Sequence, residues 1–149
     1  MNNSISLLFL ITAGVGLVVQ NTIMVRITQS SSTILIAMLL NSLVGIVLFT
    51  TLLLIRQGVA GVHELAASVH WWTLIPGLLG SFFVFASISG YQYLGAATTI
   101  AVLVASQLAG GLLIDIIRHP GLSWRVLAGP LTGACLLVIG AWLVARRQF

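Results

Sequence analysis

The sequence predicts an all-α integral membrane protein, a single bundle of five transmembrane helices. Three observations carry that prediction. Hydrophobic residues make up 59% of the 149-residue chain and charged residues only 5%, where a soluble domain holds roughly a quarter charged. Five apolar segments, at about 5–25, 33–55, 73–92, 96–117 and 126–145, match the roughly 20 residues a helix needs to cross a hydrocarbon core. The six basic residues are all arginines and all flank these segments (Arg26, Arg56, Arg118, Arg125, Arg146, Arg147), where long cationic side chains reach the headgroups.

The first segment begins at Ile5 and is too long for the apolar region of a cleavable signal peptide, and no Lys or Arg precedes it, so it reads as a span. It stays apolar until Gln20 and Asn21. Gly16 and Gln20 share a face at i,i+4, which turns Gln20 towards the bundle. After Arg26, the serines Ser30, Ser31 and Ser32 are candidate caps for the second segment. There Ala37, Asn41 and Gly45 share a stripe, and Asn41 needs a partner on another helix or water in a cavity. Between Arg56 and Trp72, Val62, Leu65, Ala66, Val69 and Trp72 follow helical spacing. This predicts a helix over about 59–71 lying in the headgroup region, anchored by Trp71 and Trp72. His63, Glu64 and His70 match no zinc spacing.

The third segment opens with Pro76 in its first turns, where proline is tolerated. It continues through Phe82, Phe83 and Phe85 to Ser87, Ser89, Gly90, Tyr91, Gln92 and Tyr93. A link of a few residues predicts a helical hairpin with the fourth segment. In that segment Ala97, Ala101, Ala105 and Ala109 recur every four residues, a stripe on which a second backbone can approach closely. Gln107 lies near its midpoint and Asp115 near its end. His119-Pro120-Gly121 is a turn signal. The fifth segment carries Gly129 and Gly133, a GxxxG pair of the kind that packs helices in lipid, with Ala141 beyond, and Pro130 should bend its first turns. Cys135 reads as a small buried hydrophobe.

Five spans put the two ends on opposite sides, and the arginines divide three against three between the sides. The bias that normally sets orientation therefore vanishes. Either other features choose one orientation, or the chain inserts both ways and pairs antiparallel with a second copy. The second arrangement would supply ten helices, the inverted-repeat transporter plan with a solute site near the midplane. Membrane lipids and a homodimer, possible in antiparallel form, are thus the expected partners. The charge of +4 is spread one or two residues at a time and forms no patch for nucleic acid.

Three stretches carry a family resemblance: AGVGLVVQNTIMVRITQSSS from Ala13, WWTLIPGLLGSFFVFASISGYQYLGAATT from Trp71, and VASQLAGGLLID from Val104. The chain resembles the YdcZ family, a five-helix branch of the drug/metabolite transporter superfamily and exporters of the bacterial inner membrane. The resemblance maps the family's early Gln onto Gln20, and its Gln-Leu and later Asp onto Gln107, Leu108 and Asp115. The chain departs in having Ser106 where Gly is common, and Ile116-Ile117 where an aromatic and Gly often follow the Asp. The resemblance implies a multi-pass inner-membrane location and export of a small metabolite or drug-like solute. It implies no particular substrate.

No nucleophile–base pair, phosphate loop, paired carboxylates or metal cluster is legible, so the reading is not an enzyme and needs no cofactor or metal. The candidate solute path is Gln20, Asn41, Phe85, Gln92 and Gln107. The same carboxamides would serve equally as interhelical hydrogen bonds, and the rings as lipid-facing surface or as a cation–π site. Asp115 is the candidate proton carrier; the alternative is an interfacial carboxylate paired with Arg118 at i+3. Ala101, Ala105, Ala109, Gly129 and Gly133 are the candidate packing or dimer residues. The alternative to an exporter is a small non-transporting subunit docked on a larger complex, or a channel.

Overall fold

The computed structural model describes residues 3–118 and 124–146, the side chains of Trp124 and Arg125 excepted. The predicted turn at residues 119–121 and the side chains of Arg125 and Arg147 lie outside the described residues. Five helices are long and apolar enough to cross a membrane: α1 (Asn3–Gln29), α2 (Ile34–Ala67), α3 (Ile75–Tyr93), α4 (Ala96–Arg118) and α5 (Trp124–Ala145). A 3-10 turn at Trp71–Leu74 leads into α3, and no strand occurs among the described residues.

Lipid offers no hydrogen bonds, so a polar side chain in a span has to find a partner in protein. The hydroxyls find theirs locally. Thr12, Thr22, Thr28, Thr51, Ser81, Ser87 and Thr132 each donate to the carbonyl four residues back, at 2.7–2.9 Å. This is the standard recourse of Ser and Thr inside helices.

The chain forms two compact units, Met1–Ser89 and Gly90–Phe149. In the first, Met24 of α1, Ala37 of α2 and Ile88 of α3 form a buried cluster, flanked by Val25, Ile27, Ile34, Met38 and Val84. Ser30 closes α1, its N–H donating to the Arg26 carbonyl at 3.2 Å and its hydroxyl to that of Ile27 at 2.9 Å. The cap of α2 is not one of the three serines but Thr33, whose Oγ1 accepts from the Leu35 N–H at 3.2 Å. The serine run instead makes the turn that lets α2 begin.

Helix α2 does not stop at Arg56. It runs to Ala67 through a break at Gly58, where φ is 60° and ψ −149°, a backbone region essentially reserved for glycine. The 24 residues from Ile34 to Gln57 would span about 36 Å at 1.5 Å per residue, enough for a core about 30 Å thick. The break therefore comes after enough helix to cross such a core. After Gly58 the chain stays helical to Ala67, short of the predicted limit at 71, and Trp71 and Trp72 sit on the separate 3-10 turn.

In the second unit, Leu94 and Gly95 join α3 to α4. Gly95 takes φ 78°, the left-handed conformation that commonly follows a helix end, and the Leu94 N–H donates to the Gly90 carbonyl at 2.8 Å. Gly90 lies hard against Thr99: a Cβ built on it would stand 2.6 Å from the Thr99 Cγ2. Helices α4 and α5 pack along one another. The alanine stripe takes part only in its middle, with Ala105 buried, Ala101 half-buried, and Ala97 and Ala109 exposed. A four-residue repeat on a helix of 3.6 residues per turn drifts about 40° per step, so the four alanines wind around α4 rather than lining one seam. Ala141 is the buried small residue of α5, whereas Cys135, expected to be buried, is exposed.

Candidate functional site

A carboxamide in a span is stable when another helix answers it. Gln20 and Asn41 answer each other: the Gln20 Nε2 donates to the Asn41 Oδ1 at 3.0 Å across the α1–α2 interface. Their depths explain why. Counted from the link between the helices, Gln20 lies nine residues back from Gln29 and Asn41 seven residues on from Ile34. At 1.5 Å per residue these are about 13 Å and 10 Å, nearly the same level and well inside the core.

The pair faces a cavity of about 420 Å³, whose walls include Gly16, Ile23, Met24, Ala37 and Val44 besides Gln20 and Asn41. Gly16 and Ala37 supply the room, as small residues next to each carboxamide on its own helix. The walls contain no charged residue. One hydrogen bond joins the pair, leaving the Gln20 Oε1 and the Asn41 Nδ2 free for other bonds, so the site presents an acceptor and a donor side by side in an apolar wall. Such a site suits a solute that is apolar over most of its surface and carries one or two neutral polar groups.

Asn21 was not singled out in the sequence, yet it is only 4% exposed. It lies 100° around α1 from Gln20 and so joins the packed side with Met24. No side-chain hydrogen bond links it to another described residue. Its position next to a Gln at the apolar limit of the first segment was the only signal available.

Of the remaining candidates, Phe85 belongs to the same unit and does not line this cavity, and the others belong to the second unit. Phe85 is 44% exposed, and Gln92 and Gln107 are exposed. Gln107, eleven residues into the 23-residue α4, is at mid-depth and makes no hydrogen bond within the described residues. Asp115 is exposed three residues before the end of α4, and no ion pair joins it to Arg118 or to another described residue. Gly129 is exposed and Gly133 half-buried. A Cβ at Gly129, Gly133 or Gly140 would meet nothing within 4 Å among the described residues, which leaves room on the GxxxG face of α5. Tyr91 is buried, and its hydroxyl has no hydrogen-bond partner among the described residues. Among the described residues no three His, Cys, Asp or Glu side chains converge. Arg146 stacks over Trp142, its guanidinium carbon 5.4 Å from the ring centroid, an interfacial anchor of the usual cation–π kind.

Comparison with known proteins bears on this arrangement. The family model described as "Putative inner membrane exporter, YdcZ" matches residues 5–143. The inner membrane protein YdcZ of Escherichia coli is 74% identical over 149 residues, covering the whole of both chains. No solved structure matches.

Proposed function

The chain belongs to the YdcZ family of inner membrane exporters, a multi-pass protein of that membrane, and on this premise we propose that it exports a small uncharged or zwitterionic solute through the α1–α2 cavity. The observation that carries the reading is the Gln20–Asn41 hydrogen bond at the wall of an otherwise apolar cavity. A pair that served packing alone would be closed over by neighbouring side chains, but Gln20 is exposed. Exchange of its bond to Asn41 for bonds to a solute leaves no carboxamide unsatisfied, which is the condition for a site that must both load and release.

The working form in this reading is a homodimer. Gln107 presents a carboxamide outward at mid-depth, and an unanswered polar group costs several kcal/mol against hydrocarbon, of order 2–7. A second copy, with water between, removes that cost. Together with the even arginine distribution, this favours an antiparallel pair on the ten-helix plan. Asp115 is the candidate coupling group: the chain has two acidic residues, and the other, Glu64, lies beyond the Gly58 break.

One observation favours a second reading, a non-transporting subunit that docks through α5. The open face of Gly129, Gly133 and Gly140 would accept a helix of another protein as readily as one of its own kind. An untargeted comparison of metabolites retained by deletion cells with those retained by cells producing the protein or its Gln20→Leu variant separates the two. Export through the cavity predicts solutes depleted by the wild type and not by Gln20→Leu. A subunit role predicts no solute whose retention follows Gln20.

A further inference from the structure

The break in α2 builds a second cavity, unrelated to the carboxamide pair. Phe49 and Leu65 line it together, although a straight helix would hold residues sixteen apart at about 24 Å. The stretch after Gly58 therefore folds back along the helix it left. Two glycines permit this. Gly58 takes the backbone angles, and Gly61 is buried where a Cβ would stand 2.8 Å from the Gln57 Cβ and 3.0 Å from a Leu53 methyl. The resulting elbow borders an open cleft of about 450 Å³, lined by the apolar Phe49, Leu52, Leu53 and Leu65, by Thr50, and by Arg56 and Gln57 at its polar end.

We propose that this elbow binds one anionic phospholipid, its phosphodiester on Arg56 and Gln57 and its glycerol and first methylenes between Phe49, Leu53 and Leu65. Three observations specify that occupant. Arg56 follows 22 residues of α2, about 33 Å of helix, and so stands at headgroup level. No described carboxylate pairs with it, which leaves a guanidinium fork suited to two phosphate oxygens. The apolar walls lie on the membrane side of that cation, Phe49 and Leu53 being three to seven residues, or about 5–10 Å, deeper. Polar rim outside and apolar cleft inside is the order of groups in a lipid, and a soluble anion would leave the cleft empty. A lipid wedged there fills the cleft between the helix and the segment that folds back along it.

Native mass spectrometry of the full-length protein in detergent tests this with phosphatidylglycerol and phosphatidylcholine of identical chains. Phosphatidylglycerol should be retained about fivefold over phosphatidylcholine, the effect of one cation near an anionic lipid. Arg56→Gln should bring the two to parity, while Arg26→Gln, which removes a comparable charge at the end of α1, leaves the preference intact. Excess glycerol phosphate should not displace the lipid. Equal retention of the two lipids by the wild type, an unchanged preference in Arg56→Gln, an equal loss in Arg26→Gln, or displacement by glycerol phosphate would each overturn the proposal. Gly58→Ala removes the elbow's backbone and should lose the lipid as well; a monodisperse, fully helical Gly58→Ala that retains it would also overturn the proposal. Arg56→Gln decides the matter whether or not Gly58→Ala folds.

Discussion

Gly90→Ala is the substitution for which the structure yields the clearest magnitude. The added Cβ would stand 2.6 Å from the Thr99 Cγ2, 2.8 Å from its Oγ1 and 3.3 Å from its Cβ. Thr99 cannot step aside cheaply. Its side chain is buried, its Oγ1 donates to the Gly95 carbonyl at 2.8 Å, and its N–H donates to the same carbonyl at 3.2 Å. A new rotamer gives up the hydroxyl bond, and a backbone shift opens the turn at Gly95. Overpacking at a fixed neighbour costs about 1–3 kcal/mol, and the loss of one hydrogen bond adds about 1. We expect Gly90→Ala to destabilise by about 2–4 kcal/mol, measured by reversible unfolding in mixed micelles. Thr99→Ala in the same chain removes the two closest atoms and should recover most of that loss, a coupling of more than about 1 kcal/mol between the sites. Equal stability of Gly90→Ala and the wild type, or no recovery in the double variant, would refute the close α3–α4 approach at this turn.

Three further outcomes follow from the same reasoning. In a double-mutant cycle, Gln20→Leu and Asn41→Leu should couple by about 0.6–1.7 kcal/mol, the range for interhelical hydrogen bonds in membranes; additive effects in unfolding titrations would show that the bond is absent. Tyr91→Phe removes a buried hydroxyl that has no partner among the described residues and should be neutral or stabilise by about 1 kcal/mol, whereas a loss of stability would reveal a partner for that hydroxyl. Asp115→Asn removes the proposed coupling carboxylate, and flux driven by a pH step in reconstituted vesicles should cease; unchanged flux would assign Asp115 to the helix end alone.

The spans were legible because lipid imposes a length and a composition together, and neither depends on how the helices pack. The Gln20–Asn41 bond was half legible. Depth counted along each segment showed that both carboxamides needed answering, but which pairs with which depends on helix rotation. The elbow was not legible. Arg-Gln-Gly before a polar stretch reads as the end of a helix, and only the backbone angles at Gly58 show that the chain turns while remaining helical on both sides. The alanine spacing carried less than a seam for a geometric reason, since positions four apart drift around a 3.6-residue turn over three steps. The burial of Asn21 and of the Tyr91 hydroxyl was not legible, because it depends on what neighbouring helices cover, and one helix's periodicity carries no trace of that.

Solute efflux from vesicles bears most directly on the central claim, that a small solute leaves through the α1–α2 cavity. Purified protein reconstituted into vesicles loaded with a labelled metabolite pool should deplete a subset of uncharged or zwitterionic solutes. The same subset should remain inside with Gln20→Leu or Asn41→Leu at equal protein content. Retention indistinguishable from protein-free vesicles, or efflux that both substitutions leave unchanged, would contradict the account.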